Sequence, residues 1–279
     1  MLPNFLIIGA QKSGTTWLAE QLIQHPDVFM PATEIHFFDK DYHYYRGVQW
    51  YEKHFSRVGN QKAVGEKTPD YLWANGQGVE GHMPDVHHHI YDLLPDVKLI
   101  VVLRNPVNRA ISAVNHIIRS GRISPRYSAD DLLIGKYQHL VAGHGVLAYG
   151  RYYEQIQAYL TLFCRQQLLV LIFEEDVLEN PTNGLQKVCH FLQIDHDFPF
   201  VAQTEKKNAY RHSRQRLYVN FYLPFLRPFT RRLDKLFPIY AAKPNQATIA
   251  TLYDYYQLSN QQLFAFLQRE MPPSWQWQS

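Results

Sequence analysis

Cysteine is scarce: Cys164 and Cys189 are the only two in 279 residues. Both fall in segments with helical patterning, which excludes a disulfide scaffold and predicts buried free thiols in a reducing compartment. Net charge is nearly as scarce. A formal +3 is too little for a general nucleic-acid binder, so any anion must be held by a few locally placed Lys and Arg side chains. No apolar run reaches the ~20 residues needed to cross a bilayer. The apolar N-terminus has no basic segment ahead of its apolar residues and runs straight into a glycine loop, so it reads as a first strand and not as an export signal. A cytoplasmic location is the expectation. Repeats, low-complexity tracts and linkers are also missing, which leaves one domain over residues 1–279 as the economical organisation. Core material is plentiful, with 46% hydrophobic and 14% aromatic residues.

Short β-rich apolar runs alternate with helical patterns. The runs are FLII (5–8), DVFM (27–30), KLIVVL (98–103) and LLVLIF (168–173), each bounded by turn or cap signals as buried parallel strands are. Helices are predicted from about Thr15 to Gln24, stopped by His25-Pro26, and from Asn105 as cap with Pro106 at the first helical position to about Ser120-Gly121. Two more are predicted over Tyr152 to Phe163 and Thr182 to Leu192. Such alternation predicts an α/β fold, a central parallel sheet flanked by helices, with its ligand site at the carboxyl ends of the strands.

The stretch between the first strand and helix, Gly9-Ala10-Gln11-Lys12-Ser13-Gly14-Thr15-Thr16, has the frame of the Walker A loop. Thr15 stands where that loop has its lysine, and Lys12 has moved inside. Glycines let a backbone wrap an anion, and the first helical amides point at it with the positive end of the dipole. Lys12 and the hydroxyls of Thr15 and Thr16 add one charge and two donors. A second grip is implied by LRNPVNRAIS, where Arg104 ends the strand that in a nucleotide hydrolase would end in a metal-holding Asp. Arg offers a planar fork for phosphate, and Ser112, two turns into the next helix, can add a hydroxyl if that helix runs back beside the strand end. Arg109 either joins Ser112 or makes a surface ion pair, and the surface pair is favoured.

Two separated anion grips at one sheet edge suit 3′-phosphoadenosine 5′-phosphosulfate (PAPS). The chain resembles the PAPS-dependent sulfotransferases, most closely the branch of the heparan sulfate sulfotransferases and their bacterial relatives. QKSGTTWL resembles the family's 5′-phosphosulfate loop, LRNPVNRAISAVNH its 3′-phosphate segment, and EIHFFD (34–39) and GEKTPDY (65–71) two acceptor-side motifs. GRYYEQIQAYLTLF and LLVLIFEED resemble the helix and strand that follow.

That resemblance implies a P-loop-like fold and an O-sulfotransferase with PAPS as donor and adenosine 3′,5′-bisphosphate as product. No metal is required by such transfer. Gln11 to Thr16 would hold the 5′-phosphosulfate, with Lys12 at the bridging oxygen, Arg104 and Ser112 at the 3′-phosphate, and Lys67 as a second lysine. Lys67 could instead be solvated or paired with Glu66. Glu34 would be the base, with His36 orienting the acceptor or serving as base itself; on an extended stretch the two share a face. The basic stretch 205–218 lacks the family's glycine-containing loop. Arg214 best matches the residue expected to close over the 3′-phosphate, in competition with Lys206, Lys207, Arg211 and Arg216. Residues 120–150, with a capping-box-like Ser128-Ala129-Asp130-Asp131, read as the variable cover over the acceptor.

The acceptor is expected to be a hydroxyl on a carbohydrate, glycolipid, lipid or carrier-bound polyketide, in a bacterial cytosolic setting with no nucleic-acid partner and no membrane span. A P-loop kinase with Glu174 or Glu175 ending a Walker B strand is the alternative. The run His87-His88-His89 does not suggest zinc, since adjacent helical residues point about 100° apart.

Overall fold

The computed structural model describes residues 1–74, 82–201 and 212–277. Five strands form one all-parallel sheet in the order β2-β3-β1-β4-β5: β1 Phe5–Gly9, β2 Val28–Phe29, β3 Ala63–Lys67, β4 Lys98–Leu103 and β5 Leu168–Ile172. The four expected runs are all strands. The fifth, β3, was legible only as part of a motif. Its apolar run is just Ala63 and Val64, followed by Gly65 and the buried carboxylate of Glu66. Gly65 is forced, because a Cβ there would lie 2.5 Å from the Phe5 ring on β1.

Seven α-helices of eight residues or more lie among the described residues: α1 Thr15–Leu22, α2 Val86–Leu93, α3 Pro106–Arg119, α4 Tyr152–Leu160, α5 Pro181–Leu192, α6 Arg214–Tyr222 and α7 Gln246–Leu267. Asn105 caps α3 through its side chain, which accepts from Asn108 N–H. Ser128 caps the short helix Ala129–Leu133 in the same way, accepting from Asp131 N–H. None of the described helices is long and apolar enough to cross a membrane.

Strand alternation divides β1 between two cores. Leu6 and Ile8 face α2, α4, the end of α7 and the buried Trp275, whereas Phe5 and Ile7 face α1 and α5. A third core joins α3 and α7 to residues 123–147 and Leu217, so that segment packs on the helices. Cys189 is buried and free in α5; Cys164 is free but exposed at the cap of a 3₁₀ turn, contrary to the expectation of a buried helical thiol. Register decides where function can sit. Ile7 pairs with Lys67 and Leu103 with Ile172, so Gly9, Lys67 and Leu103 end at one edge of the sheet.

Candidate active site

The loop after β1 winds tightly because two of its residues are left-handed, Lys12 at φ 70° and Gly14 at φ 89°. Gly14 is required twice over. The conformation disfavours a side chain, and a Cβ would meet the Phe173 ring at 2.7 Å. Leu18 N–H makes the first bond of α1, to Gly14 C=O, which leaves the amides of Thr15, Thr16 and Trp17 ahead of the ladder at its positive end. Arg104, just past β4, donates to the Lys12 carbonyl at 3.2 Å and lies over the Phe173 ring at 5.2 Å. The loop and the strand-end arginine are thus one unit.

From helix α3, His116 and Arg119 come close enough to Lys12 for their charges to act on one another, and Ser112 shares their helix face by spacing. His116 Nδ1 lies 3.3 Å from the Arg119 guanidinium. Burial, reinforced by the charges of Arg119 and Arg104 and opposed by Glu34, lowers Lys12 to about 8. Burial and the charges of Lys12, Arg119 and Arg122 likewise push His116 down to about 4. Sequence reading missed His116 and Arg119, although the i, i+4, i+7 spacing from Ser112 was the signal for them.

Across the cleft stands a second network. His36 is left-handed at φ 54° and opens a turn that sets its two ring nitrogens against different carboxylates. Nε2 lies 3.4 Å from Glu34, and Nδ1 lies 3.0 and 3.1 Å from the oxygens of the fully buried Asp39. Glu34 and His36 therefore meet, as expected, but through a turn and not along an extended strand. Lys67 Nζ is 2.7 Å from Glu34 and donates to Thr16 at 3.2 Å, spanning the cleft. Burial works against the charge on Glu34, but hydrogen bonds from His36 and Lys67 outweigh it and hold the carboxyl at about 2. Burial likewise opposes the charge on His36, and bonds to Asp39 and Glu34 raise it to about 10.

Lys67 does not pair with Glu66, which points to the opposite face of β3. There Glu66 accepts from Tyr51 at 2.7 Å, Tyr71 at 2.9 Å and Thr68 at 2.8 Å. Tyr71 in turn accepts from the Phe37 amide at 2.9 Å, so the buried carboxylate braces the 36–39 turn through one tyrosine. Gln11 donates to Asp70 at 3.2 Å. A pocket beside the two networks is lined by Gln11, Lys40, Asp70 and Trp73, by Ala113 and Ile117 of α3 and, from the 120–150 segment, by Arg122 and Tyr149 among others. Lys40 and Asp70 also escaped the sequence reading.

Two expectations fail or stand apart. Arg109 makes no surface pair: it is fully buried, donates to the Val146 carbonyl and lies beneath the Tyr149 ring. It ties residues 146–149 to α3. Arg214 opens α6 with its guanidinium over Tyr218 and Tyr240, and no hydrogen bond or ion pair among the described residues joins it to Arg104 or the loop. Lys206, Lys207 and Arg211 lie outside the described residues. The carboxylates beyond β5 are occupied elsewhere. Glu174 accepts from Asn105 N–H and Trp275 Nε1–H, each at 3.0 Å, Glu175 pairs with Arg269, and Asp176 accepts from Ile172 N–H and Lys187.

Comparison with known proteins identifies the resemblance more widely than single motifs do. Residues 2–222 match the family model described as sulfotransferase domain. The chain is 30% identical over 193 residues to heparan sulfate glucosamine 3-O-sulfotransferase 3B1 of Mus musculus, covering 69% of this chain and 46% of that protein. It is 37% identical over 122 residues to the membrane-associated sulfotransferase kil1 of Dictyostelium discoideum, covering 42% and 24%. The match thus takes in less than half of either relative. Among solved structures, a sulfotransferase from Alicyclobacillus acidocaldarius superposes with a TM-score of 0.71 at 26% identity, over 97% of this chain and 98% of that one.

Proposed function

The chain belongs to the sulfotransferase domain family, and from that premise we propose that it moves the sulfuryl group of PAPS to an acceptor hydroxyl by in-line transfer. The observation that carries the proposal is the position of Lys67, whose ammonium touches both the carboxylate of Glu34 and the hydroxyl of Thr16. One cation links the expected base to the expected phosphate loop.

In this reading the loop amides, Thr15 and Thr16 hold the 5′-phosphate, while Arg104 and Ser112 take the 3′-phosphate. Lys12 and Lys67 stabilise negative charge on the bridging oxygen as its bond to sulfur breaks. The acceptor oxygen bonds to sulfur, adenosine 3′,5′-bisphosphate leaves, and the hydroxyl proton passes to Glu34. A carboxylate with a pKa of about 2 is a weak base, but it suffices when the proton moves late, after the attacking oxygen has given up electron density and its O–H has become acidic. His36 is the poorer base: at about 10 it already carries its proton. It orients Glu34, anchored by Asp39. The cleft offers aromatic rings from Trp73 and Tyr149 among polar groups of Gln11, Lys40 and Arg122, a lining that suits a sugar hydroxyl more than a bare lipid chain. A glycolipid or carrier-bound acceptor fits the same lining through its polar end. Arg214 closing over the 3′-phosphate requires its guanidinium to leave the rings of Tyr218 and Tyr240.

A kinase is disfavoured because the carboxylates that would hold its Mg²⁺ after β5 are committed to Asn105, Trp275, Arg269 and Lys187. Calorimetric titration with adenosine 3′,5′-bisphosphate, 5′-AMP and ATP–Mg²⁺ side by side tests both readings. The bisphosphate is expected to bind roughly tenfold or more tighter than 5′-AMP, the scale of one charged phosphate contact. Preference for ATP–Mg²⁺ would overturn the proposal.

A further inference from the structure

The segment from α6 to α7 is built unlike the rest of the surface. Between Tyr222 and Ile239 large apolar side chains stand in solvent: Phe225 is 71% exposed, Phe229 75%, Leu236 73% and Ile239 58%, with Tyr222 and Leu223 beside them. Scattered exposed apolar residues are ordinary, but a cluster of this size on one short helical unit marks an interaction surface. The backbone is ordered by its own contacts. Pro224–Arg232 forms a 3₁₀ helix, Leu233–Leu236 a further turn, and Thr230 donates to the Asn220 side chain at 2.9 Å.

Charge on this unit is one-sided. Residues 214–240 contain Arg214, Arg216, Arg227, Arg231, Arg232 and Lys235 against a single acid, Asp234. That acid is turned inward, where it accepts from Ser213 N–H at 2.7 Å and pairs with Arg216. Arg231, Arg232 and Lys235 are exposed among the aromatic and aliphatic side chains. An apolar band interleaved with outward cations and stripped of outward anions matches an anionic bilayer surface: rings enter the headgroup boundary while guanidinium and ammonium groups meet lipid phosphates.

We infer that residues 222–239 are an interfacial docking element that binds the protein peripherally to an anionic phospholipid bilayer. The element abuts the cleft wall, since Tyr222 hydroxyl lies 2.7 Å from Ser124 and the Arg227 guanidinium rests against Gly121. Docking therefore sets the 120–150 segment, and with it the cleft mouth, beside the headgroups, where a lipid-linked hydroxyl would be presented.

Co-sedimentation of the full chain with vesicles tests this without any turnover assay. Vesicles of phosphatidylcholine with a quarter phosphatidylglycerol should carry the protein down, pure phosphatidylcholine should not, and 0.5 M salt should release it. Phe225→Ser with Phe229→Ser should weaken binding about tenfold or more, and Arg231→Gln with Arg232→Gln about fivefold per charge. Both phenylalanines are mostly solvent-exposed, so an unchanged melting temperature is expected, and Leu236→Ser with Ile239→Ser repeats the test should the first variant misfold. Failure to sediment with anionic vesicles, equal binding to neutral ones, or binding indifferent to both apolar variants would overturn the inference. So would sedimentation velocity showing a dimer that the phenylalanine variant dissolves, which would assign the surface to a second copy.

Discussion

The two sides of the cleft treat charge in opposite ways. On the side proposed for the donor, Lys12, Arg104 and Arg119 are gathered around one loop, and burial together with their mutual repulsion brings Lys12 down to about 8. On the side proposed for the acceptor the charges are paired: Glu34 with Lys67 and His36, His36 with Asp39. An excess of one sign, held by strand ends and a helix start, is what binding a multiply charged anion requires. A balanced network cannot attract such a ligand, but it can orient groups and pass a proton. Affinity should therefore reside on one side and turnover on the other.

The largest test of that division is Glu34→Gln. Turnover should fall about 10²-fold or more, the scale of a lost general base, while calorimetry gives an unchanged affinity for adenosine 3′,5′-bisphosphate. An equal fall in affinity would mean that Glu34 serves the donor site. Arg104→Ala should do the converse and weaken the bisphosphate by about 1.5–3 kcal/mol, with little change for 5′-AMP, because the group that Arg104 meets is absent from it. If both nucleotides weaken alike, the 3′-phosphate is placed wrongly. Gly14→Ala probes how the donor side is assembled. The substitution strains a left-handed residue and drives a Cβ into Phe173, on which Arg104 rests. Chemical denaturation should show a loss of about 1–2 kcal/mol, and bisphosphate affinity should fall with it; a loss of stability alone would uncouple loop from arginine.

Legibility in the sequence follows the same division. The donor side was readable because strand ends, glycines and a capped helix announce themselves locally: KLIVVL is β4 residue for residue, and Asn105-Pro106 starts α3 as a cap and first-turn proline should. The acceptor side was readable only through motifs. Its strand, β3, carries too few apolar residues to show a period, since Gly65 is dictated by Phe5 and Glu66 by three hydroxyls donated from elsewhere in the chain. Arg109 defeated the reading for a related reason. An arginine normally belongs on the surface, and only the packing of the 143–150 segment over α3 buries it. The long helix α7 and the burial of Trp275 beneath it are likewise tertiary facts.

The smallest effect sharpens the comparison most, because it reads charge excess directly. Lys12 near 8 lies well below the 10.5 of a free lysine. The shift means that its charge costs native stability below pH 8, a cost relieved as pH rises from 8 toward 10.5. Binding has the opposite sign. A phosphate beside Lys12 favours the ammonium, so bisphosphate affinity should be flat between about pH 7 and 8, above the second phosphate pKa of about 6, and decline by at most tenfold per unit above pH 8, with protons taken up on binding. Glu34 near 2, His116 near 4 and His36 near 10 change little between pH 7 and 9, and the arginines keep their charge, so the slope in that window belongs to Lys12. Calorimetry in buffers of different ionisation enthalpy measures the proton uptake, and Lys12→Met should abolish both uptake and slope while Glu34→Gln leaves the uptake in place. If Glu34→Gln removed it instead, the two sides would share one proton economy through Lys67, and the separation of affinity from turnover would fail at its bridging residue.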